Sequence, residues 1–235
     1  MRLRGVQDFL VKCSYIEIYN EVITDLLVSN SKALKLHTTQ KQGTVVVGAT
    51  ENMVVSTQQA MKLIETGQAA RHVGSTNMNA ESSRSHSIFR MLIESAEKTS
   101  DGRGAVRAGE LYLVDLAGSE RQSSTQATGQ RLKEGANINK SLLCLSNVIS
   151  RLSEMVKSKK STGHVPFRDS NLTRILERAL GGNSRTSIIC TVCPSSLSQD
   201  LALTVLRVPY SLDSGTPNES SKRLGNVDGL SRRPV

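Results

Sequence analysis

The run Leu111-Tyr112-Leu113-Val114-Asp115-Leu116-Ala117-Gly118-Ser119-Glu120-Arg121 constrains this chain more than any other. Its apolar opening predicts a strand buried on both faces, as in the core of an α/β sheet. The strand delivers one carboxylate, Asp115, to its C-terminal end, and Gly118 follows three residues later. A carboxylate in that place can hold the water shell of a magnesium ion in a nucleotide site. A glycine just beyond can bring its N–H against a γ-phosphate, because no Cβ intervenes. A plain core strand and turn has the same pattern, so the phosphate reading depends on a second stretch.

That stretch is Asn77-Met78-Asn79-Ala80-Glu81-Ser82-Ser83-Arg84-Ser85-His86, a polar loop leading into a strand predicted over Ser87 to Glu94. Adjacent hydroxyls can ligate magnesium or its waters and donate to phosphate oxygens. Arg84 suits forked pairing with a carboxylate, and Glu120, in the loop after the second strand, is the natural candidate. Together, Asn-x-x-Ser-Ser-Arg-Ser-His and Asp-Leu-Ala-Gly-Ser-Glu resemble the two switch loops of kinesin motor domains. The pair, in this order and at about this separation, is highly specific.

The resemblance implies an α/β fold, part of the kinesin-type, P-loop NTPase-like mixed central sheet with helices on both faces. It implies ATP-dependent movement on microtubules, with ATP and magnesium as cofactors. In that scheme Ser82 and Ser83 serve magnesium and the attacking water, and Asn79 belongs to the same nucleotide site. Asp115 supports magnesium, Gly118 senses the γ-phosphate, and an Arg84–Glu120 pair closes the site. No metal is expected to be held by protein side chains alone. His86 reads as a packed, hydrogen-bonded histidine and not a base.

Charge points the same way. The net charge of +9 calls for a polyanionic partner: nucleic acid, a membrane surface or an acidic protein surface. Aromatic residues make up only 3%, which argues against readers of single strands or RNA that stack bases on rings. No apolar run reaches membrane-spanning length, and Met1 to Leu10 lacks the apolar core of a signal peptide. Between Arg121 and Arg185 stand 12 Lys/Arg against four acids, an excess close to the whole net charge. The segments Asn-Ile-Asn-Lys-Ser-Leu and Val-Pro-Phe-Arg-Asp-Ser-Asn-Leu-Thr-Arg-Ile-Leu resemble the kinesin microtubule-binding elements, and tubulin is acidic. The expected filament contacts are Arg121, Lys133, Lys140, Arg151, Lys157, Lys159, Lys160, Arg168, Arg174 and Arg178. Kinesins usually carry lysine where this chain has Asn171, a lost charge expected to weaken the grip. The expected partner is therefore the microtubule, with neither nucleic acid nor membrane. The expected location is the cytoplasm and microtubule cytoskeleton, the spindle included.

Along the chain, Val11 to Asn20 alternates and predicts a strand. Asn20 is then expected to cap a short helix, Glu21 to Leu27. Ser29 to Val55 predicts a loop and short strands turning at Gly43 and Gly48. Ser56 and Gln59 form a capping box for a helix to about Arg71, with Ala60, Leu63, Ile64 and Ala70 along one side. The segment from Glu97 to Gly109 predicts a solvated loop, and Gln122 to Gln130 a mobile one. The main helix is predicted from Asn137 to about Lys157, with Ile138, Leu142, Leu145, Ile149, Leu152 and Val156 on one face. Lys140, Asn147 and Arg151 fall opposite. Asp169 or Ser170 is expected to cap a helix from Leu172 to Leu180, with Arg174 and Arg178 facing out. Thr186 to Cys193 predicts a last apolar strand. Cys190 and Cys193 have metal-ligand spacing but no second pair, so a buried structural role is expected, in an intracellular thiol protein.

No Gly-x-x-x-x-Gly-Lys-[Ser/Thr] occurs in the 235 residues. The resemblance places that loop on a part of the fold before Met1, so residues 1–207 are expected to be an incomplete motor domain. Without those phosphate contacts the chain alone is a poor prospect for binding ATP and is not expected to hydrolyse it at a motor-like rate. A non-hydrolysing fragment that binds microtubules or another partner is the alternative. Val208-Pro209 replaces the Phe-Ala of the kinesin closing helix, and residues 208–235 are expected to be a disordered, divergent tail without a coiled-coil stalk. Within kinesins, residues 87 to 95 and 129 to 139 look most like the centromere-associated, CENP-E-like group.

Overall fold

The computed structural model describes residues 6–39, 43–73, 83–97, 106–118, 130–158, 163–181 and 184–189. These fall into two compact units, one of Met1–Leu145 with Phe167–Thr186 and one of Ser146–Pro166 with Ser187–Val235. The elements run β1 (Val6–Tyr19), β2 (Val22–Asp25), β3 (Lys35–Thr39), β4 (Gly43–Val47), β5 (Asn52–Val54) and α1 (Thr57–Val73). Then follow β6 (Ser85–Glu97), β7 (Val106–Asp115), α2 (Gln130–Ser158), a 3-10 turn (Phe167–Asp169), α3 (Asn171–Ile175) and α4 (Glu177–Gly181).

In the first unit a sheet has the order β2-β1-β6-β7, every described pairing antiparallel, and β5 pairs with β1. Period-two alternation sorts β1 into two faces. Cys13 and Tyr15 join Leu26, Val54 and Phe89 in a core that Ala60, Leu63 and Ile64 of α1 cover. Tyr15 and Phe89 lie opposite each other in the β1–β6 register, with ring centres 5.5 Å apart edge to face. At Gly67, a Cβ would stand 2.1 Å from the Tyr15 ring, so α1 can come this close to the sheet only with glycine there. The other face carries Ser14, Ile16, Ile88, Arg90, Leu92, Glu110 and Tyr112, which line an open cavity of about 350 Å³ bordered by β4, Ile175 and Arg178.

Several expectations are corrected. Asn20 does not cap a helix: Asn20 and Glu21 take φ of 53° and 61°, and Val22–Asp25 turns back as β2 against β1. Two successive left-handed residues make the tight turn whose twist suits a hairpin. The strain of placing Glu21 there is offset by its carboxylate. Oε1 accepts from Ser170 Oγ and Oε2 from Asn171 N–H, both at 2.7 Å, at the start of α3.

The strand expected to be buried on both faces is β7, and it is not. Leu111 and Leu113 are 45% and 50% exposed. Among the described residues β7 pairs only with β6, and the face that carries Leu111 and Leu113 lacks cover. Both β6 and β7 also run further than expected into the Glu97 to Gly109 segment. A long antiparallel ladder continues wherever cross-strand pairs still meet.

The capping box is present in part. Ser56 Oγ accepts from Gln59 N–H at 3.3 Å, while Gln59 Oε1 reaches back to Val55 N–H at 2.9 Å. Ala70, expected on the packed side of α1, is exposed. Helix α2 begins earlier than expected, at Gln130. Its buried stripe is Ser141, Cys144, Leu145, Val148, Ile149 and Ser153, rotated from the expected one, with Leu142 and Leu152 half-buried. Small polar residues fit in tight places where Leu does not, so apolar spacing alone misplaces the stripe. Ser170, not Asp169, caps α3, accepting from Leu172 N–H at 3.2 Å. The single helix expected there breaks at Leu176 into α3 and α4.

In the second unit, Arg151 pairs with Glu154 at 3.0 Å, and Gly163 lies beside the Arg151 guanidinium and Met155. The expected strand from Thr186 is not formed over the described residues 186–189, and Ile189 is 93% exposed. A strand requires a ladder partner, and none of the described residues supplies one. Cys190, Cys193, the segment from Leu201 and the tail lie outside the described residues. Among the described residues no helix is long and apolar enough to cross a membrane.

Candidate functional site

The register pairs Ser87 of β6 with Asp115 of β7, so the loop entering β6 and the loop leaving β7 emerge at the same end of the sheet. There they are bonded together. Gly118 N–H donates to the Ser83 carbonyl at 2.8 Å, and Ala117 N–H donates to His86 Nδ1 at 3.0 Å. The described ends of the two stretches singled out in the sequence, Ser83–His86 and Ala117–Gly118, therefore meet in space. A backbone N–H serves one strong acceptor at a time, so a γ-phosphate contact from Gly118 requires giving up Ser83.

Arg71, in the last turn of α1, organises the same end of the sheet. Its Nη1 donates to Asp115 Oδ2 at 2.6 Å and to Ser87 Oγ at 3.3 Å. Its Nε donates to Ser85 Oγ at 3.1 Å, and Nη2 to the Ser85 carbonyl at 2.8 Å. Glu17 Oε1 stands 3.6 Å from Nε, an ionic contact too long for a hydrogen bond. The Arg71 side chain is only 6% exposed, whereas that of Asp115 is 69% exposed. Arg71 thus fixes one carboxylate oxygen from the protein side while the group still faces outward. Asp115 fits a role in holding a magnesium water shell, and Ser83, an exposed hydroxyl residue, stands in the loop bonded to Gly118.

By sequence alone Arg71 is only the end of a helix. The signal for its role is in Ser85 and Ser87, two small hydroxyl residues on alternate positions of a strand. They leave room for a planar cation and supply acceptors to it.

On the opposite face of β6, His86 Nε2 lies 2.7 Å from Ser141 Oγ of α2. Burial, reinforced by the Arg71 charge, lowers the His86 pKa to about 4, against a smaller opposing pull from Asp115. The ring is packed, neutral and hydrogen-bonded, as expected.

Asn79, Ser82, Glu120, Arg121, Lys159 and Lys160 lie outside the described residues, and with them the expected Arg84–Glu120 pair. Lys133 and Lys157 are on α2, with side chains outside the description. Lys140 and Arg168 in the first unit are exposed, as is Arg151 in the second, and Arg174 is half-buried. Arg178 does not simply face outward: its aliphatic stem packs at Gly43 of β4 and its Nη1 lies 3.8 Å from Glu110. Glu110 also takes Arg90 at 2.9 Å and the Tyr112 hydroxyl at 2.7 Å. Burial and that bond to Glu110 push the Tyr112 pKa up to about 12. Asn171, where a lysine was expected from the resemblance, turns its amide to the Glu21 carbonyl at 2.7 Å.

Comparison with known proteins identifies the family and the fold. The kinesin motor domain family model matches residues 3–211. The chain is 55% identical over 192 residues to kinesin-like protein KIN-7L of Oryza sativa subsp. japonica, covering 81% of this chain and 29% of that protein. It is 48% identical over 199 residues to human centromere-associated protein E, covering 83% of this chain and 7% of that protein. The chain thus spans less than a third of the length of these curated relatives. Among solved structures, it resembles a KIF14 dimer in a two-heads-bound AMP-PNP state in complex with a microtubule, at TM-score 0.79 and 37% identity, over 91% of this chain and 59% of that one. A fast kinesin matches at TM-score 0.78 and 40% identity, over 95% of this chain and 62% of that one. These neighbours share the α/β kinesin fold expected from the two loops, and the chain belongs to the kinesin motor domain family.

Proposed function

We propose that this chain is the nucleotide-sensing and filament-binding part of a microtubule motor. The observation that carries this reading is the Gly118–Ser83 bond at 2.8 Å, which joins the two loops expected to report the γ-phosphate. In this reading Ser82, Ser83, Asn79 and Asp115 serve ATP-bound magnesium, Gly118 reads the γ-phosphate, and Arg84 with Glu120 closes the site. Lys140 and Arg168 of the first unit contact acidic tubulin, and the other expected cations, Arg121, Lys133, Arg151, Lys157, Lys159, Lys160 and Arg174, add to the attraction. The work is done on the cytoplasmic microtubule cytoskeleton, the spindle included, and not on nucleic acid or membrane.

A second reading has one observation in its favour, the lack of Gly-x-x-x-x-Gly-Lys-[Ser/Thr] in the 235 residues. It makes this chain a microtubule-binding piece that does not turn ATP over by itself. Cosedimentation with microtubules in ATP, in ADP and without nucleotide separates the two. The first reading expects binding that weakens with salt and differs between nucleotides. Binding indifferent to nucleotide supports the second. No binding, or displacement from DNA alone, overturns both.

A further inference from the structure

His86 stands where three elements meet. It sits near the start of β6, takes the Ala117 N–H on Nδ1 at 3.0 Å, and lies 2.7 Å from Ser141 Oγ of α2 through Nε2. A backbone amide can only donate, so Nδ1 carries no proton. The single ring proton is therefore on Nε2 and is donated to Ser141. His86, Ala117 and Ser141 are all buried, so water does not compete for these bonds.

The neighbours of the two end groups give the arrangement its meaning. Next to Ala117 is Gly118, bonded to Ser83. Next to Ser141 is Lys140, exposed on α2. One imidazole therefore separates a loop on the phosphate side from a helical turn that offers a cation outward. A ring that donates from one nitrogen becomes a better acceptor at the other, so the two bonds support each other. A displacement of either partner by about an ångström takes its bond out of range and weakens the other as well.

We infer that His86 is a positioning residue that couples the Ala117–Gly118 loop to helix α2. Its use in filament binding rests on the proposed function, whereas the coupling is a property of the free chain. The two can be tested apart.

Amide hydrogen exchange at Ala117, followed by NMR on the full chain, reads the coupling. Ser141→Ala, a change on α2, is expected to speed Ala117 exchange about threefold to tenfold, the size of one weakened hydrogen bond. His86→Asn keeps an acceptor near the Nδ1 position but is too short to reach Ser141. In that background Ser141→Ala is expected to change Ala117 exchange no further, the signature of a shared link in a double-mutant cycle. A purely packing role predicts that Ser141→Ala leaves Ala117 unchanged, or acts equally in both backgrounds, and either result overturns the inference. So does a wild-type imidazole nitrogen spectrum with the proton on Nδ1. Cosedimentation of the same proteins with microtubules supplies the second arm. If the wild-type chain fails to sediment, the functional reading falls while the exchange cycle still decides the coupling. If it sediments, His86→Asn and Ser141→Ala lower affinity by the same factor, and Lys140→Ala lowers it without moving Ala117 exchange. Unequal effects of the first two variants count against the inference.

Discussion

Arg71 and Asp115 are 44 residues apart in the chain, and their side chains meet at 2.6 Å with the cation buried and the carboxylate facing out. A guanidinium buried among two carboxylates and two serines is held by satisfied donors, and its loss leaves Glu17 buried without its counter-ion. Removing one partner of such a group typically costs about 3–5 kcal/mol. Arg71→Ala is therefore expected to lower the unfolding free energy read from urea titration by that order, with a matching fall in the midpoint. Arg71→Lys keeps the charge but not the fork, and is expected to lose roughly half as much. Equal stability of the wild type and Arg71→Ala would show that the network carries no weight.

The buried His86 sets a pH dependence. Its folded pKa is near 4 against an ordinary 6.5, so the unfolded chain binds a proton that the folded one refuses. Stability from this group is complete above the unfolded value, falls as pH drops toward about 4, and is flat below. The full loss is about 3 kcal/mol, because each step of one pH unit between the two values removes about 1.4 kcal/mol. Denaturant midpoints between about pH 7 and pH 4 should fall more steeply for the wild type than for His86→Asn, which has no proton to take up.

Gly67→Ala is expected to destabilise although alanine is the better helix former. The new methyl would enter the Tyr15 ring at 2.1 Å, and that ring is pinned edge-on against Phe89. Overpacking of this kind costs about 1–3 kcal/mol against a helix gain of about 1. Pairing the change with Tyr15→Leu, which clears the space, should recover part of the loss in thermal melts.

Glu21 has two opposing demands, a left-handed backbone and a carboxylate that caps α3. Glu21→Ala keeps the first and loses the second, an expected cost of about 2–3 kcal/mol. Glu21→Gly loses the same bonds but relieves the backbone, so it should be milder by about 0.5–1 kcal/mol. The reverse order in equilibrium unfolding would mean that the turn is unstrained.

The sequence is most legible where chemistry and pattern coincide. Asp115, Gly118 and the Ser83 stretch stand out because few folds need those residue types in that order, and the structure bonds the second loop to the first. The α1 cap is readable from Ser56 and Gln59 because capping is local. What escapes a sequence reading depends on partners distant in the chain. The hairpin at Asn20 and Glu21 resembles a cap followed by a short helix until Ser170 and Asn171 supply the bonds that hold Glu21 in place. Arg71 resembles any helix-end cation until β6 and β7 bring serines and Asp115 around it. Apolar spacing misplaces the stripe of α2, because Ser141 and Ser153 are buried in it as small residues.

The Glu21 turn also has a consequence for the order of events during synthesis. Its carboxylate waits for residues 149 and 150 positions further along the chain. A ribosome adding about 5–20 residues per second needs roughly eight to thirty seconds to deliver them. Through that interval β1 and β2 must close on a corner whose backbone strain is relieved by nothing yet made. The hairpin is therefore expected to flicker on the nascent chain and to lock only when α3 emerges, which makes a late-translated helix the fastener of an early-translated turn.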